Sequence, residues 1–383
     1  MRICLMTPSF LPAVGGMEVV VDRLAKQFQA AGHEVLVVTK RPSKHEPLPD
    51  LPYDVACYRK TRSSIWCLGP QRRILLQEHR RRPFDIIHAQ AMYPSGYVAV
   101  GVGKQLNVPI VLTSHVGDIR PGSRYRRRWL PRRRMIWAMK NAAAVTGVSV
   151  VLKEIVDELT DGQAHSYAIP NGIDAPLPPP QQPPPDLSDL AGRPFMITLG
   201  RLHPNKGLSV LLDAMGILQS RGTAVPQLVL VGDGPLRAEL EAQASRLNLQ
   251  QAVRFAGLRQ GPEKNWLLHA CRFFLQPSIV EGMPLTVGEA MAAGKCVLGT
   301  DIGGTRELIR HGVDGFLAAP GDATAYADAL AELASRSEQL GLADIEQAAL
   351  ASAHQRDWAS VAKQYLSLFE SVRSRRGNER SSI

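Results

Sequence analysis

Two doubly wound, mostly parallel α/β domains are the fold class this sequence predicts, on three observations. Short apolar runs alternate with helix-patterned stretches through both halves of the chain. A proline-rich stretch interrupts that alternation once, near the middle. The chain, 383 residues and 45% hydrophobic, is long enough for two cores and too long for one. Repeated strand–helix alternation calls for a parallel sheet covered by helices on both faces.

The first half opens as a strand–helix–strand unit. Arg2 to Thr7 reads as a strand, Met17 to Ala31 as a helix carrying Val20, Leu24 and Phe28 at helical spacing, and Val35 to Val38 as the next strand. Gly32 suits the helix stop. Gly15 and Gly16 fall in the strand-to-helix turn, where backbone can approach a ligand closely. They do not form G-x-G-x-x-G, and a tight turn without a ligand needs the same residues. Further strands are expected at 85–88, 109–113 and 143–146. The strand at Ile110 ends in T-S-H-V-G-D, which puts His115 and Asp118 at its carboxyl end, where a histidine is either functional or structurally satisfied.

Ile169 to Asp174 (I-P-N-G-I-D, with Asn171) leads into seven prolines between Pro176 and Pro185. Such a run cannot be a helix interior or a central strand, so it reads as a semi-rigid linker. The expected division is a first domain at 1–175, a linker at 176–192, a second domain at 193–356, and a C-terminal helix and tail at 357–383. That helix is expected to pack back on the first domain, and the final S-R-R-G-N-E-R-S-S-I to be disordered.

The second half restarts the alternation with strands at 195–199, 227–231, 253–255, 273–276 and 296–298. Gly200 to Gly207 reads G-R-L-H-P-N-K-G, placing Arg201 at a strand end and Lys206 in a turn that opens a helix. Two cations beside a helix N-terminus suit a diphosphate, although a solvated surface pair has the same sequence. G-D-G-P at 232–235 follows the next strand. From Pro277 the chain reads P-S-I-V-E-G-M-P-L-T-V-G-E, so Glu281 leaves a strand's carboxyl end ahead of a helix opened by Pro284. Amides of Gly282, Met283 and Leu285 would point from that helix end, ready to hold oxygens. Glu289, flanked by Gly288 and Ala290, would be a costly buried charge unless something bonds it. The alternatives are that Glu281 caps the helix and that Glu289 is a solvated surface residue.

Composition narrows the setting. No apolar run approaches the ~20 residues of a membrane span, and the N-terminus lacks a secretory-signal pattern. Cys4, Cys57, Cys67, Cys271 and Cys296 are scattered without C-x-x-C and suit a reducing compartment. The cytoplasm is therefore the expected location. Residues 1–180 carry 25 Lys+Arg against 14 Asp+Glu, whereas residues 181–383 carry 20 against 21. The basic character belongs to the first half, which suggests an anionic partner there. Its densest part, residues 120–140, has eight arginines and a lysine interleaved with Trp129, Leu130, Met135, Ile136 and Trp137. Pro131 can open a helix there that docks on an anionic membrane at the inner face of the plasma membrane. A solvated face and a basic pocket for a phosphate-bearing acceptor are the alternatives.

Taken in order, these motifs resemble the family 4 glycosyltransferases. They are G-G at 15–16, His115, P-N-G-I-D at 170–174, G-R-x-x-x-x-K-G at 200–207, G-D-G-P at 232–235, the E-x7-E pair Glu281 and Glu289, G-G-T-R-E-L-I, D-G-F-L-A and Trp358. The resemblance covers nearly the whole chain and implies a GT-B-like fold, two doubly wound parallel-sheet (Rossmann-like) domains facing across a cleft. It implies a nucleotide-sugar-dependent hexosyltransferase that retains anomeric configuration, with a UDP- or GDP-linked donor and a glycan or lipid-linked acceptor. By that resemblance Glu281, His115, Arg201 and Lys206 carry the reaction. Gly15, Gly16, Asn171, Gly232, Gly234, Gly282, Met283, Pro284, Leu285 and Glu289 bind the donor. Glu281 would hold the sugar hydroxyls and Glu289 the ribose, while Arg201 and Lys206 neutralise the departing diphosphate. No D-x-D occurs, so no metal and no other cofactor is expected. Two departures stand out: Val116 follows His115 where family members often have glycine, and Arg306 stands where they often have proline.

Other classes fit less of the sequence. A glycoside hydrolase would use the two glutamates but has no need of Arg201 and Lys206. A nucleotide-sugar epimerase would share the architecture. A nucleic-acid-binding protein would explain the arginines, but the aromatic platforms and modules that would carry that role are absent from the sequence, so no nucleic acid is expected as a partner.

Overall fold

The computed structural model describes residues 1–13, 15–42, 47–59, 68–175, 177–178 and 180–381. Cys67, Pro176, Pro179 and the last two residues of the expected tail lie outside them. The chain divides into two compact units, one of residues 1–172 with the helix from Trp358, the other of residues 173–357.

The first unit holds seven parallel strands: β1 Arg2–Met6, β2 Glu34–Lys40, β3 Asp54–Tyr58, β4 Ile86–Ala89, β5 Ile110–Ser114, β6 Ala144–Gly147 and β7 Ser166–Ala168. They run in the order β3-β2-β1-β4-β5-β6-β7. The strand order, not the strand direction, reverses between β1 and β4, so the loops leaving those two strands diverge and open a crevice at the sheet's carboxyl edge. The second unit repeats the plan with β8 Phe195–Leu199, β9 Gln227–Val231, β10 Val253–Gly257, β11 Phe273–Gln276, β12 Cys296–Thr300 and β13 Phe316–Ala318. Its order, β10-β9-β8-β11-β12-β13, reverses between β8 and β11. Both sheets are of the predicted class.

Burial follows from the sequence. β1, β5, β8 and β12 are apolar runs whose residues are almost all buried, as a sheet covered on both faces requires. The first helix, Gly16–Ala30, buries Val20, Leu24 and Phe28. The last helix, Trp358–Ser381, lays Phe369 beside Phe28 at a ring separation of 5.6 Å and Tyr365 beside His88 at 4.8 Å. The helix continues through most of the stretch expected to be disordered.

The proline-rich stretch differs from a free linker. Leu187 and Leu190, in a short 3-10 turn at Pro185–Leu190, are buried in the second unit. Arg254 bonds Asp189 at 2.7 Å and Arg259 bonds Asp186. Prolines forbid ladder hydrogen bonds but leave carbonyls free, and those of Leu177 and Pro178 accept from Asn265.

Candidate active site

In the second unit, the loops leaving β8 and β11 meet at the reversal in strand order. After β8 the chain turns through Gly200 and Arg201 into a short 3-10 turn, Pro204–Lys206. Gly207 follows with φ +61°, and a Cβ on it would lie 2.0 Å from the Pro277 carbonyl oxygen. Only glycine permits that approach, and it brings Lys206 against the β11 loop. Lys206 Nζ donates to Glu281 Oε1 at 2.6 Å, as do Ser278 Oγ at 2.8 Å and Gln276 Nε2 at 3.0 Å. Three donors thus hold one carboxylate oxygen, while Oε2 takes no bond among the described residues.

Glu281 therefore does not cap the following helix, Leu285–Ala292. Pro284 occupies the cap position rather than the first turn, and no side chain caps it. Gly282, Met283 and Leu285 lie along this helix approach. Arg201 is exposed and makes no hydrogen bond or ion pair among the described residues. A small concavity between the two loops is lined by Gly200, Arg201, Lys206, Gln276 and Ser278.

Gly232 and Gly234, after β9, brace this loop from the other side. Gly232 has φ +144°, and a Cβ there would lie 1.9 Å from the Gly200 carbonyl oxygen. Leu202 N donates to the Asp233 carbonyl at 3.0 Å. The two glycines thus set the backbone that carries Arg201.

Glu289 is partly buried, not a solvated surface residue. Lys264, on the helix Gly261–Ala270, donates to both its carboxylate oxygens at 2.8 Å. Lys264 was not legible as a site residue because its partner lies 25 positions away on another helix. A Glu flanked by Gly and Ala indicated only that, if buried, something had to bond it.

The first unit collects Gly15, Gly16 and His115 at its carboxyl edge, the glycines opening the first helix and His115 following β5. His115 Nε2 lies 2.7 Å from Gln90 Oε1, in the loop after β4. Burial holds the His115 pKa down at about 4 and that of His88, further along the same network, at about 3, so both rings are neutral near pH 7. Val116 has φ +74°, a strained conformation for a β-branched residue and one that glycine would adopt freely. Asp118 is buried and accepts from the Met92 amide at 2.5 Å and from Ser114 Oγ at 3.2 Å, tying the β4 and β5 loops together. Burial pushes its carboxyl pKa up. Asn171 is buried near the point where the chain leaves this unit. Arg306 donates to Asp301 at 2.5 Å on the exposed surface.

The basic segment forms two helices, Arg124–Arg127 and Trp129–Asn141. Met135 is fully buried with Ala138 and Met139, so the expectation that it faces outward fails: its helical position points to the core. Trp137 packs edge-on to Tyr97 at 5.4 Å. Trp129 is 69% exposed with Arg133 over its ring, and Leu130, Arg127, Arg128, Arg132 and Arg133 are exposed beside it. Among the described residues no helix is long and apolar enough to cross a membrane, and no three His, Cys, Asp or Glu side chains group as a metal site.

Residues 14–176 match the family described as Glycosyltransferase Family 4, and residues 193–336 match Glycosyl transferases group 1. An uncharacterised glycosyltransferase of Methanocaldococcus jannaschii is 24% identical over 336 residues, 87% of this chain and 89% of that protein. The alpha-monoglucosyldiacylglycerol synthase of Streptococcus pneumoniae is 25% identical over 318 residues, 78% of this chain and 70% of the synthase. Among solved structures, Anabaena HepE in complex with UDP and glucose superposes with a TM-score of 0.79 at 23% identity, covering 97% of this chain and all of HepE. Sucrose-phosphate synthase from Thermosynechococcus elongatus gives 0.81 at 21% identity, over 97% of this chain and 98% of the synthase.

Proposed function

The chain belongs to the family 4 glycosyltransferases and has their GT-B-like fold, and from that premise we propose that it transfers a hexose, with retention of configuration, from a nucleoside diphosphate sugar to a lipid-linked or cell-surface glycan precursor. One observation carries the reading. Glu281 has one oxygen fixed by Lys206, Ser278 and Gln276 and the other open, beside an uncompensated Arg201. The open oxygen accepts sugar hydroxyls. Lys206 and Arg201 take up the charge that grows on the departing diphosphate, which needs fixed cations and no metal. Glu289, steadied by Lys264, accepts from ribose hydroxyls. UDP is the favoured carrier because HepE, a protein of the same fold, was solved with UDP and glucose.

A lipid-linked acceptor agrees with the exposed Trp129, Leu130 and arginines, which suit peripheral attachment to the cytoplasmic face of an anionic membrane. It agrees also with the likeness to a relative named alpha-monoglucosyldiacylglycerol synthase. The test is a thermal-shift screen of UDP- and GDP-sugars, followed by NMR of the product formed from the best donor. An α-linked product from an α-linked donor is expected. A β-linked product, or no stabilisation by any nucleotide sugar, overturns the reading.

A further inference from the structure

A buried chain of hydrogen bonds runs from the middle of the first sheet to His115, and its polarity can be read from one end. The Leu112 carbonyl can only accept, so the Thr146 hydroxyl donates to it at 3.3 Å. With its proton so used, Thr146 accepts from Thr113 Oγ1 at 2.6 Å. Thr113 in turn accepts from His88 Nε2 at 2.6 Å. His88 then has its proton on Nε2; the Gln90 amide nitrogen lies 3.1 Å from that atom and 3.3 Å from Nδ1, and of the two only Nδ1 can accept from it. With its NH2 toward His88, the Gln90 side chain presents Oε1 to His115 Nε2, 2.7 Å away. An oxygen can only accept, so the His115 proton sits on Nε2. His88, Gln90, Thr113 and Thr146 are all buried, which keeps water from competing for the links among them.

We infer that Gln90 is a positioning residue, fixing His115 as the neutral Nε2–H tautomer so that its Nδ1 accepts a hydrogen bond from a substrate hydroxyl and does not bind phosphate. The inference rests on the proposed sugar transfer, in which the family resemblance makes His115 one of the residues that carry the reaction, and it takes His115 to face the transferred sugar. A neutral ring with a bare Nδ1 cannot donate to a phosphate oxygen from that atom, whereas a sugar hydroxyl supplies the donor it needs. Burial, which keeps the His115 pKa near 4, favours the same state. The titratable groups of the network are His88 and, beyond Thr113, Tyr365 at 3.3 Å, with Asp118 three residues along the same loop.

The experiment is long-range proton–nitrogen NMR of the full chain with ring-labelled histidine, His115→Ala identifying the signal. Wild type is expected to show Nε2–H and bare Nδ1, unchanged from about pH 5.5 to 8. A protonated Nδ1, or titration within that range, overturns the inference. Gln90→Leu is expected to lose the single tautomer, and Gln90→Glu, whose carboxylate favours the imidazolium, to make His115 titrate between about pH 5 and 8. A Gln90→Leu protein with the wild-type tautomer overturns the positioning role. UDP-glucose is the probe for the ligand: a shift of the Nδ1 resonance that UDP alone does not cause supports a hydroxyl partner. A shift with UDP alone overturns the hydroxyl assignment. No shift with either, while the tautomer holds, overturns the placing of His115 at the sugar and leaves the Gln90 geometry standing.

Discussion

The two units use the same sheet plan and put opposite electrostatics at their carboxyl edges. At the β8–β11 reversal the second unit presents Lys206–Glu281 and, on the neighbouring helices, Lys264–Glu289, charges matched within the protein itself. At the carboxyl edge of the first unit, His115, Gln90 and His88 are neutral and held by hydrogen bonds alone. A ligand anion can share Lys206 because Ser278 and Gln276 still hold the Glu281 carboxylate, so neither charge is left without a partner. A neutral relay cannot do that, but it can fix direction, deciding which atom donates and which accepts. One fold thus supplies a charge-handling edge and an orienting edge.

The largest expected effect tests the charged edge. Lys206→Ala should weaken UDP binding by about 1.5–3 kcal/mol, typical of a lost bond to a charged group, while uridine binding changes little; calorimetry with both ligands checks it. Equal losses for uridine and UDP would show that the lysine shapes the pocket and does not meet the diphosphate. Glu281→Ala should lower turnover about 10-fold or more by freeing the sugar to rotate, read as kcat with the best donor of the screen.

The neutral edge is tested by acid. His88 and His115 have folded pKa values depressed below those of the unfolded chain, so protons bind the unfolded state preferentially. Their contribution to stability is fully present above about pH 6.5 and is lost progressively as pH falls toward 4 and 3. Denaturant melts of wild type and His88→Gln should therefore differ most at pH 7 and converge toward pH 4. Differences independent of pH would mean that the ring matters for packing only. The smallest effect is at Val116: replacement by glycine should raise stability by about 1 kcal/mol through relief of its positive φ, offset in part by a freer unfolded chain. A loss in the same melts would place Val116 in a packing role that outweighs its strain.

What the sequence made legible follows burial. Every central strand announced itself as an apolar run, because both faces are covered. The three strands it did not reveal, β3, β7 and β13, are all sheet edges, with mixed exposure and only three to five residues each. Glu281, Lys206 and Arg201 were readable because loops at strand ends gather whatever residues they carry. Lys264 and Gln90 were not, since each acts through a partner more than twenty positions away and neither lies in a motif. The outward face of residues 120–140 was half readable: arginines mark exposure, but the helical phase that buries Met135 and exposes Trp129 needed coordinates.

The chain leaves the first unit at Gly172 and rejoins it at Trp358, and Ile173 and Asp357, on the second unit's side of those two crossings, are paired by a bridge. During synthesis this sets an order. The second unit, residues 173–357, is complete before Tyr365 and Phe369 emerge, yet those two rings close the first unit's core over His88 and Phe28. The half that is made first is therefore finished last. Until the helix from Trp358 emerges, the first sheet waits with an open apolar seam, and a chain halted at residue 357 would carry a finished second unit and an unfinished first one.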